Sequence, residues 1–410
     1  MLKEAPGNRR DRATNARECG DFLTGDTPGL LELTTDVVVD IEGIRALTSD
    51  YQHLYEATGN TLPFALQDWH LVWCDHFLNR NPSIQDQSLF VVLRRSTGEC
   101  VAIVPLILSR RRLGPLKLGS VALLGLDPGL TEIRTPLIQP GYEWLTVRAV
   151  YASLARVGDW DWIQWNGISA ALADAMHGEM RPEWQAKTLD YVLDLPPSWE
   201  KMRAGLKRNT RESLRHCYNS LRRDGHKFEF IVARDPPEVR QALKRFLELH
   251  AMRANTSWGT RHPNQFAGPT LQSFLRTLCE RLAARDSVRV FQLRIGNEIV
   301  ASRIGFAVGD SIYLYYSGFD PTWARHSVMT TTVAETFKYA IEHGFRTVNL
   351  SIGREQSKLR WRPRVVEFHS AIVHREVLKS RILSRAYRLS LSRNGVRLLK
   401  KLVWPARDWH

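Results

Sequence analysis

The order of apolar and polar positions predicts the same series of elements twice along the chain. In the first half, a strand over residues 37–41 precedes two helical periods and two β-like runs, which are joined by the turn Ser96-Thr97-Gly98-Glu99. In the second half, a strand over 228–232 precedes two helices and two runs, which are joined by Ile295-Gly296-Asn297-Glu298. The pattern therefore predicts two mixed α/β halves with one architecture.

The remaining predicted elements correspond one to one. In the first half they are helices over 44–57, 66–77 and 143–157 and strands over 89–93, 101–108 and 160–165. In the second half they are helices over 238–252, 270–284 and 327–343 and strands over 288–293, 299–306, 312–316 and 347–350. In the element order, the first-half segment VVLRRSTGECVAIVPL corresponds to the second-half segment FQLRIGNEIVASRIGF. In the same way, WDWIQWNGI corresponds to FRTVNLSIG. We predict a flexible leader (1–30), a first half (31–195), a basic linking helix (196–227), a second half (228–374) and a basic helical tail (375–410).

Composition excludes several classes of protein. A chain of 410 residues with 43% hydrophobic residues can bury a substantial core. No run approaches the roughly 20 apolar residues of a membrane span, and the polar N-terminus has no signal-peptide pattern, so we expect a cytoplasmic protein. The five cysteines form no CxxC pair, and no HExxH spacing occurs. We therefore expect free thiols in a reducing compartment and no metal site.

Positive charge is concentrated in two segments. Of the net charge of +14, residues 201–227 carry +7 and residues 375–410 carry +8, so the rest of the chain is close to neutral. The first segment reads as a basic amphipathic helix over 202–221, in which Arg208 and Arg211 are candidates to bind an anionic substrate. The alternative is a solvated helix face. The second segment suits peripheral contact with the inner membrane surface, or packing against the body of the protein.

The order of strand, two helices, hairpin, third strand, helix and final strand is that of the GNAT acyltransferase fold. Over 206–368, the segments LKRNTRESLRHCYNSLRRDG, FQLRIGNEIVASRIGF, YLYYSGFDP and GREQSKLRWRP resemble the GNAT-like domain of CelD/BcsL acetyltransferases of bacterial cellulose biosynthesis. That group is similar in turn to the FemAB peptidyltransferases, which carry paired GNAT-like halves. The resemblance implies an α/β (α+β) fold of two tandem GNAT-like halves, each a mixed sheet flanked by helices. It also implies acetyl-CoA or another acyl-CoA as co-substrate.

The resemblance also implies where the acyl-CoA binds. Tyr313 and Tyr315 would flank a cleft beside the third strand, and the start of the next helix would bind the pyrophosphate. The candidate residues at that start are Arg325, His326, Ser327 and Val328. GNAT enzymes usually carry a glycine-containing turn here, whereas Ser327-Val328-Met329-Thr330 has no glycine. The alternative is an ordinary helix start that is capped by Ser327.

Candidate catalytic residues follow the last predicted strand. GREQSKLRWRP resembles the family's G-x-E-x-x-K segment, which makes Glu355 a candidate general base. Lys358 and Arg354 would supply positive charge to an oxyanion or to an anionic acceptor, and Tyr315 completes the predicted catalytic set. The alternative is a solvated basic loop, in which Trp361 serves packing.

A further candidate region is LHAMRANTSWGTRHPNQF, residues 249–266. In the family that it resembles, this loop lies over the acceptor cleft. His250 is a candidate general base, with a structural histidine as the alternative, and Arg253 and Trp258 are candidates to contact the acceptor. In the first half, the loop over 125–136 lacks converging basic groups, so we expect that half to be structural or to shape the acceptor site.

These observations predict an acyl-CoA-dependent N- or O-acyltransferase that acts on a sugar, a lipid-linked precursor or another envelope-polysaccharide precursor. The acceptor would attack the thioester directly, which agrees with the absence of a GxSxG motif. One alternative is a FemAB-like transfer from aminoacyl-tRNA, with the basic helix on RNA phosphates. A second is a non-catalytic accessory protein of polysaccharide biosynthesis, which the missing glycine favours. Direct binding of other nucleic acid rests on charge alone.

Overall fold

We describe the fold from a computed structural model, which covers residues 33–82, 84–113, 116–127, 129–177, 180–256, 262–375 and 380. The predicted leader, Trp258 and nearly all of the predicted tail lie outside these residues. The cysteines among them are buried free thiols: Cys74, Cys100, Cys217 and Cys279. No helix in the described part of the chain is long and apolar enough to cross a bilayer.

The described chain contains both strands and helices. The strands are β1 (Leu33–Val38), β2 (Ile84–Arg95), β3 (Cys100–Leu113), β4 (Leu116–Leu123), β5 (Leu137–Ile138), β6 (Trp162–Ile168), β7 (Glu183–Trp184), β8 (Thr188–Asp194), β9 (Phe228–Ala233), β10 (Val288–Ile295), β11 (Glu298–Val308), β12 (Ser311–Phe319), β13 (Thr347–Ile352) and β14 (Arg364–His374). The α-helices are α1 (Ile41–Ala46), α2 (Thr48–Thr58), α3 (Gln67–Phe77), α4 (Glu143–Val157), α5 (Ala170–His177), α6 (Trp199–Gly205), α7 (Arg208–Arg223), α8 (Pro236–Ala254), α9 (Pro269–Ala284), α10 (Val328–Glu342) and α11 (Gln356–Leu359). Short 3-10 helices lie at Pro63–Ala65 and Pro321–His326.

The sheet repeats one topology in the two halves. Strands β1-β2-β3-β4-β6 of the first half and β9-β10-β11-β12-β13 of the second half lie in the same order. In each set the neighbours are antiparallel except for the last pair, because β4 is parallel to β6 and β12 is parallel to β13. The helix between the strands of each parallel pair, α4 or α10, is the crossover that a parallel pair needs. The prediction of two similar mixed α/β halves is confirmed.

The two halves exchange their final strands. β8 follows β6 in the chain but pairs with β13 of the second half, and β14 follows β13 but pairs with β6 of the first half. β14 also pairs with β8, through Arg364–Phe368 of β14, so that the two sheets form one continuous sheet. Each half therefore depends on the other for backbone hydrogen bonds.

The halves also share a hydrophobic core. Trp69 of α3 lies edge-on to Phe274 of α9, to Phe306 of β11 and to Tyr315 of β12. Phe64 contacts Tyr313 in the same way. These residues belong to one buried cluster that extends from α1–α3 to α8 and α9. The opposite face of the second half has its own cluster, in which α10 packs on β12 and β13.

A glycine allows α8 to cross β12 closely. A Cβ atom on Gly318 would lie 2.3 Å from the backbone nitrogen of His250, a distance that real Cβ atoms do not reach. The close crossing brings the C-terminal turn of α8 to the end of β12. This turn carries His250 and Arg253, so the crossing fixes both residues beside the strand.

Several predicted elements differ in detail. The helix predicted over 202–221 is two helices, α6 and α7, because Leu206 and Lys207 are extended. The helix over 44–57 divides into α1 and α2 at Leu47, and α1 begins where the Asp40 carboxylate accepts a hydrogen bond from the Gly43 amide, 2.6 Å away. Strands β4, β5, β7, β8 and β14 and helices α5 and α11 were not predicted. β8 and β14 pair with strands of the other half, which local pattern does not encode.

Candidate active site

The parallel strands β12 and β13 separate after a short paired region. They pair from Ser311–Tyr313 with Thr347–Asn349 and then diverge. β12 contains a bulge beyond this point, because its register with β11 shifts between the partners of Gly305 and Arg303. The divergence opens a gap in the sheet, as the resemblance predicted, and backbone groups along the gap are left without strand partners.

A cavity of about 270 Å³ occupies this gap. Its walls come from both faces of the sheet, with Met329 and Thr330 of α10 on one side and Glu132 and Arg253 on the other. Tyr313 and Tyr315 belong to the core shared by the halves, whereas Leu314 packs with α10. Since side chains alternate along a strand, the cavity connects the face of α10 with the opposite face.

The cavity is rich in positive charge. Four fixed cations line it, Arg253, Arg303, Lys358 and Arg360, against the two carboxylates Glu132 and Glu355. Arg253 is held in place because it donates hydrogen bonds to the Ser317 hydroxyl and to Nε2 of His262, both at 2.7 Å. This excess of positive charge is suited to an anionic ligand.

Arg303 is an unpaired cation in the wall of the cavity. Its Nε atom is buried, and no described residue accepts a hydrogen bond from it. Burial and the neighbouring Arg253 lower the pKa of Arg303 to about 10. An unpaired buried charge is costly, so a protein retains one chiefly where a ligand supplies the partner.

Lys358 and Glu355 lie at the mouth of the cavity. Glu355 is exposed and precedes the short helix α11, while Lys358 is half-buried. The Lys358 ammonium donates a hydrogen bond to the carbonyl of Ile352 at the end of β13. Burial lowers the pKa of Lys358, although the carboxylate of Glu355 opposes this shift. Arg354, in contrast, is exposed and does not line the cavity.

Glu132 reaches the cavity from the first half of the chain. Its Oε2 atom accepts hydrogen bonds from the Tyr313 hydroxyl and from the Ser351 hydroxyl, the latter at 2.7 Å. Burial raises the pKa of Glu132, and the two hydrogen bonds partly offset that rise. Tyr313 therefore holds this carboxylate from within the core and, contrary to the prediction, does not itself line the cavity.

Tyr315 lines the cavity but its hydroxyl is engaged elsewhere. The Tyr315 hydroxyl donates to the carbonyl of Leu130 at 2.6 Å, and the hydroxyl of Tyr316 donates to the carbonyl of Gly129 at 2.8 Å. Both tyrosines thus fasten the first-half loop to β12. The Tyr315 hydroxyl therefore serves as an anchor and is not, as had been predicted, a free phenol that could take part in catalysis.

The N-terminus of α10 opens towards the same cavity. Ser327 lies at its N-cap in the left-handed conformation, φ 52° and ψ 42°, and its hydroxyl does not cap the helix. A residue with no Cβ usually takes this conformation, so the glycine-like turn is retained without a glycine. Arg360 donates to the Thr330 hydroxyl at 3.2 Å and so places a guanidinium beside the first turn of α10.

Two of the predicted phosphate-binding residues lie elsewhere. Arg325 is exposed and lies 3.5 Å from the carboxylate of Asp224, and it does not line the cavity. His326 is buried against α7, with Nδ1 3.3 Å from the Ser220 hydroxyl. None of the four predicted phosphate-binding residues lines the cavity, which the following residues Met329 and Thr330 line instead. Val328 packs in a buried cluster with Leu221 and Leu293, and Arg325 and His326 contact Asp224 and Ser220 of α7 and its C-cap.

His250 is held as a structural histidine. Its Nδ1 donates to the carbonyl of Ser317 at 2.9 Å, and its Nε2 accepts from the backbone amide of Gln265 at 3.2 Å. The ring is buried and stacks on Phe246. Because both nitrogens are engaged, this arrangement leaves no site for a substrate proton.

The predicted arginines of the basic helix lie on its outer surface. Arg208 pairs with Glu212 at 2.8 Å, and Arg211 donates to the carbonyls of Ala204 and Leu206 and so closes the C-terminus of α6. Neither lines the cavity. Trp361 is buried and packs edge-on against Phe337 of α10, as expected for a packing residue.

The corresponding place in the first half is blocked. β4 and β6 pair only through Ser120–Ala122 and Trp162–Gln164, but the chain at Arg134 passes so close that a Cβ on Gly167 would lie 2.7 Å from its nitrogen. Helix α4 also begins with Glu143, whose carboxylate accepts from the Gly141 amide at 2.8 Å. A negative charge at this helix start disfavours a phosphate.

Comparison with known proteins agrees with this geometry. Residues 208–359 match the sequence family described as "Acetyltransferase (GNAT) domain". The structure of FemX has a TM-score of 0.51 with this chain at 10% identity, covering 78% of this chain and 95% of FemX. The match shows a GNAT acetyltransferase domain over residues 208–359, which supports the predicted acyltransferase, and FemX shares the fold of the chain.

Two further solved structures show weaker similarity. A conserved protein of unknown function from Bacteroides thetaiotaomicron is 14% identical with a TM-score of 0.49, covering 80% of this chain and 97% of that protein. A tandem GNAT protein from the clavulanic acid biosynthesis pathway is 14% identical with a TM-score of 0.43, covering 83% and 98%. No curated protein sequence matches the chain significantly.

Sequence reasoning missed three residues of the site. Arg303 carried a usable signal, because it is a charge in the middle of the apolar strand EIVASRIGFAV. Arg360 lies inside GREQSKLRWRP but was not singled out. Glu132 gave no local signal, since its place depends on contacts between the two halves.

Proposed function

We propose that the protein transfers an acyl group from acyl-CoA to the nitrogen or oxygen of an acceptor that carries an anionic group. The observation that supports this proposal is the cavity through the β12–β13 gap, with the start of α10 at one side and unpaired Arg303 in its wall. In the proposed complex, the amides at the start of α10 and Arg360 bind the pyrophosphate. The pantetheine arm then lies along the open edges of β12 and β13.

In this proposal, the two sides of the cavity bind different substrates. Acyl-CoA enters from the face of α10, and the acceptor enters from the opposite face, beside Arg253 and Arg303. The Lys358 ammonium, close to the end of β13, stabilises the negative charge that develops on the thioester oxygen. Acetyl-CoA is the simplest donor that this arrangement accommodates, and the reaction needs no enzyme nucleophile.

The class of acceptor is part of the proposal. A sugar-containing precursor of an envelope polysaccharide agrees with the resemblance to the CelD/BcsL enzymes, and phosphate or carboxylate groups of such a precursor match Arg253 and Arg303. A cytoplasmic enzyme whose tail, residues 375–410, contacts the inner membrane surface would meet such precursors where they are assembled.

Calorimetric titration with acetyl-CoA and coenzyme A tests this proposal. We expect micromolar binding to the intact chain and a loss of about 10- to 100-fold in Arg360→Ala, because a charge-assisted hydrogen bond contributes roughly 1.5–3 kcal/mol. Arg325→Ala is the matched control, since Arg325 is an arginine near the same helix that does not line the cavity. Absence of binding at millimolar cofactor would refute the acyl-CoA reaction and favour an accessory, non-catalytic role.

A FemAB-like transfer from aminoacyl-tRNA is the second candidate function. It is favoured by α7, which exposes Arg208, Arg215 and Arg222 to solvent. Phosphate contacts from such a helix make binding strongly salt-dependent. Binding of tRNA that weakens at least tenfold between 50 and about 200 mM salt, without binding of coenzyme A, would support this second function.

A further inference from the structure

We infer that Glu132, which the first half supplies, is the general base for acyl transfer in the cleft of the second half. This inference rests on the proposed acyl-CoA reaction and assigns a catalytic residue to it. Two carboxylates line the cavity among the described residues, and Glu132 is half-buried, whereas Glu355 is exposed at the mouth. This difference matters because a base must meet the proton of the acceptor where access of water is restricted.

The hydrogen bonds of Glu132 leave one oxygen for a substrate. The hydroxyls of Tyr313 and Ser351 both donate to Oε2. No described residue donates a hydrogen bond to Oε1, and this atom is not among the buried atoms without a partner. Glu132 therefore has one oxygen held by the protein and a second oxygen that faces the cavity, which is the arrangement a positioned base requires.

The loop that carries Glu132 is fixed at several points. The Asp127 carboxylate accepts from the amides of Leu130 and Thr131, at 2.6 and 3.0 Å, and from the indole of Trp73 at 2.9 Å. The Thr131 hydroxyl in turn accepts from the indole of Trp69 at 3.0 Å. Together with the two tyrosine contacts of β12, these bonds hold the carboxylate at the gap between β12 and β13.

The backbone of Ser351, whose hydroxyl donates to Glu132, has a strained conformation. It lies at φ 68°, a left-handed conformation that is unusual for a serine in a strand. Its amide donates to the Asn349 side chain at 2.7 Å, and the amide group of Asn349 donates to buried Asp190 at 2.6 Å. Such strain is found mainly at functional sites. Here it directs the Ser351 hydroxyl to Glu132, so Ser351 is a positioning residue.

The surroundings of Glu132 raise its pKa above that of an exposed glutamate. The titratable and charged groups that face it are Tyr313 of β12, Lys358 of α11, Asp190 of β8, Arg303 of β11 and the neighbouring phenols Tyr315 and Tyr316. Burial raises the pKa of Glu132 and Asp190 adds to the rise, while the hydrogen bonds and Lys358 oppose it. A raised pKa makes the carboxylate a stronger base than an exposed glutamate.

The inferred step is balanced without any further reactant. The acceptor nitrogen or oxygen attacks the thioester carbonyl carbon, its proton passes to Oε1 of Glu132, and the new C–N or C–O bond forms. The C–S bond then breaks, and the coenzyme A thiolate takes up the proton from Glu132. The products are the acylated acceptor and coenzyme A, and the carboxylate returns to its initial state.

Thiol release from acetyl-CoA tests the role of Glu132 in the full-length chain. The probes are water, glucosamine 6-phosphate and free amino acids as acceptors. We expect Glu132→Gln to release thiol 10²–10⁴-fold more slowly while it binds coenzyme A as tightly as the unchanged protein. Glu132→Asp should recover part of the rate. Asp174→Asn, which removes an exposed carboxylate on α5, is the control and should retain the full rate.

A pH profile separates catalysis from folding. For the unchanged protein, we expect thiol release to fall on the acid side at a higher pH than an ordinary glutamate would give, since protonation removes the base. Glu132→Asp should move this acid limb, and circular dichroism should show that both variants remain folded.

Three results would overturn the inference. One is a Glu132→Gln variant that is folded, binds coenzyme A and keeps both the rate of thiol release and the acid limb of its pH profile. That result would be compatible with acyl transfer and would make Glu355 the candidate base. Another is binding of coenzyme A without thiol release for any probe. The last is failure to bind coenzyme A at all, which would remove the proposed function on which the inference depends.

Discussion

Arg303 places a half-buried guanidinium in the middle of β11, and its buried Nε atom has no acceptor among the described residues. The nearby strand residues Ala301, Ser302 and Ile304 are buried and small or apolar, so nothing in the packing of the strand requires an arginine there. Replacement of buried charges by apolar residues of similar volume often stabilises a protein. Arg303 therefore reads as a residue that is retained for ligand binding at a cost in stability.

Arg303→Met should raise the free energy of unfolding by about 1–3 kcal/mol, because it removes an unpaired buried charge and keeps the volume. Acyl transfer should fall at the same time, since the anionic group of the acceptor loses its partner. Urea denaturation and thiol release measure the two effects.

Arg253→Met is the matched control for this prediction. Arg253 lines the same cavity, but Ser317 and His262 accept its hydrogen bonds, so its loss should lower stability. If Arg303→Met also lowered stability, the interpretation of Arg303 as an unpaired charge would be wrong.

The accuracy of the sequence predictions at the residue scale depended on the range of the contacts. The packing role of Trp361 was predicted from the sequence and the position of Arg253 was implied by the family resemblance. In the structure Trp361 packs on Phe337 and Arg253 lines the cavity. His250 has a structural role because Ser317 and Gln265, which are distant in sequence, form hydrogen bonds with its two ring nitrogens. Glu132 could not be predicted, because the partners that make it a base lie roughly 180 and 220 residues away.

At the scale of single elements, the N-terminus of α10 shows how a serine can form a turn that usually contains glycine. Ser327 adopts the left-handed conformation that a glycine would adopt, so the helix begins in the same direction. The conformation costs a residue with a side chain roughly 1–2 kcal/mol. The absence of glycine in the sequence therefore lowers stability at this turn without changing its shape.

Ser327→Gly should raise the free energy of unfolding by about 0.5–1 kcal/mol. Glycine removes the strain of the left-handed conformation, but its greater conformational freedom in the unfolded state offsets part of this gain. Ser327→Ala keeps the Cβ atom and should give no such gain. Urea denaturation of the two variants measures the difference. Equal stability of the glycine and alanine variants would show that Ser327 is not strained.

Element prediction succeeded where the pattern is local and failed where it is not. The helix predicted over 143–157 has these bounds in the structure, and both hairpins appear with their predicted turns. β14 was missed although it has 11 residues, because each of its hydrogen-bonding partners belongs to β6, β7 or β8. A strand that completes a distant sheet carries no turn signal that connects it to its partners.

At the scale of the whole molecule, the exchange of β8 and β14 joins the halves into one folding unit. Removal of residues 1–195 would take away β8 and the loop that carries Glu132. It would also expose the edges of β13 and β14, and unpaired edges promote aggregation. The apparent boundary between the halves in the sequence is therefore not a boundary in the sheet.

A chain of residues 196–410 should be insoluble or unfolded, whereas the intact protein should unfold in a single transition. Removal of residues 1–32, which takes away none of the described elements, is the control and should leave a folded protein. Circular dichroism and tryptophan fluorescence during urea denaturation measure both. A soluble 196–410 chain that binds coenzyme A normally would contradict the dependence of the halves on each other.

The place of β14 has a consequence for synthesis on the ribosome. β6 is complete when residue 168 has been made, but the strand that covers its open edge ends at residue 374. At about 5–20 residues per second, that edge waits some 10–40 s for its partner. The nascent first half thus leaves the exit tunnel with an unprotected edge, and this edge is covered only after residue 374 has been translated.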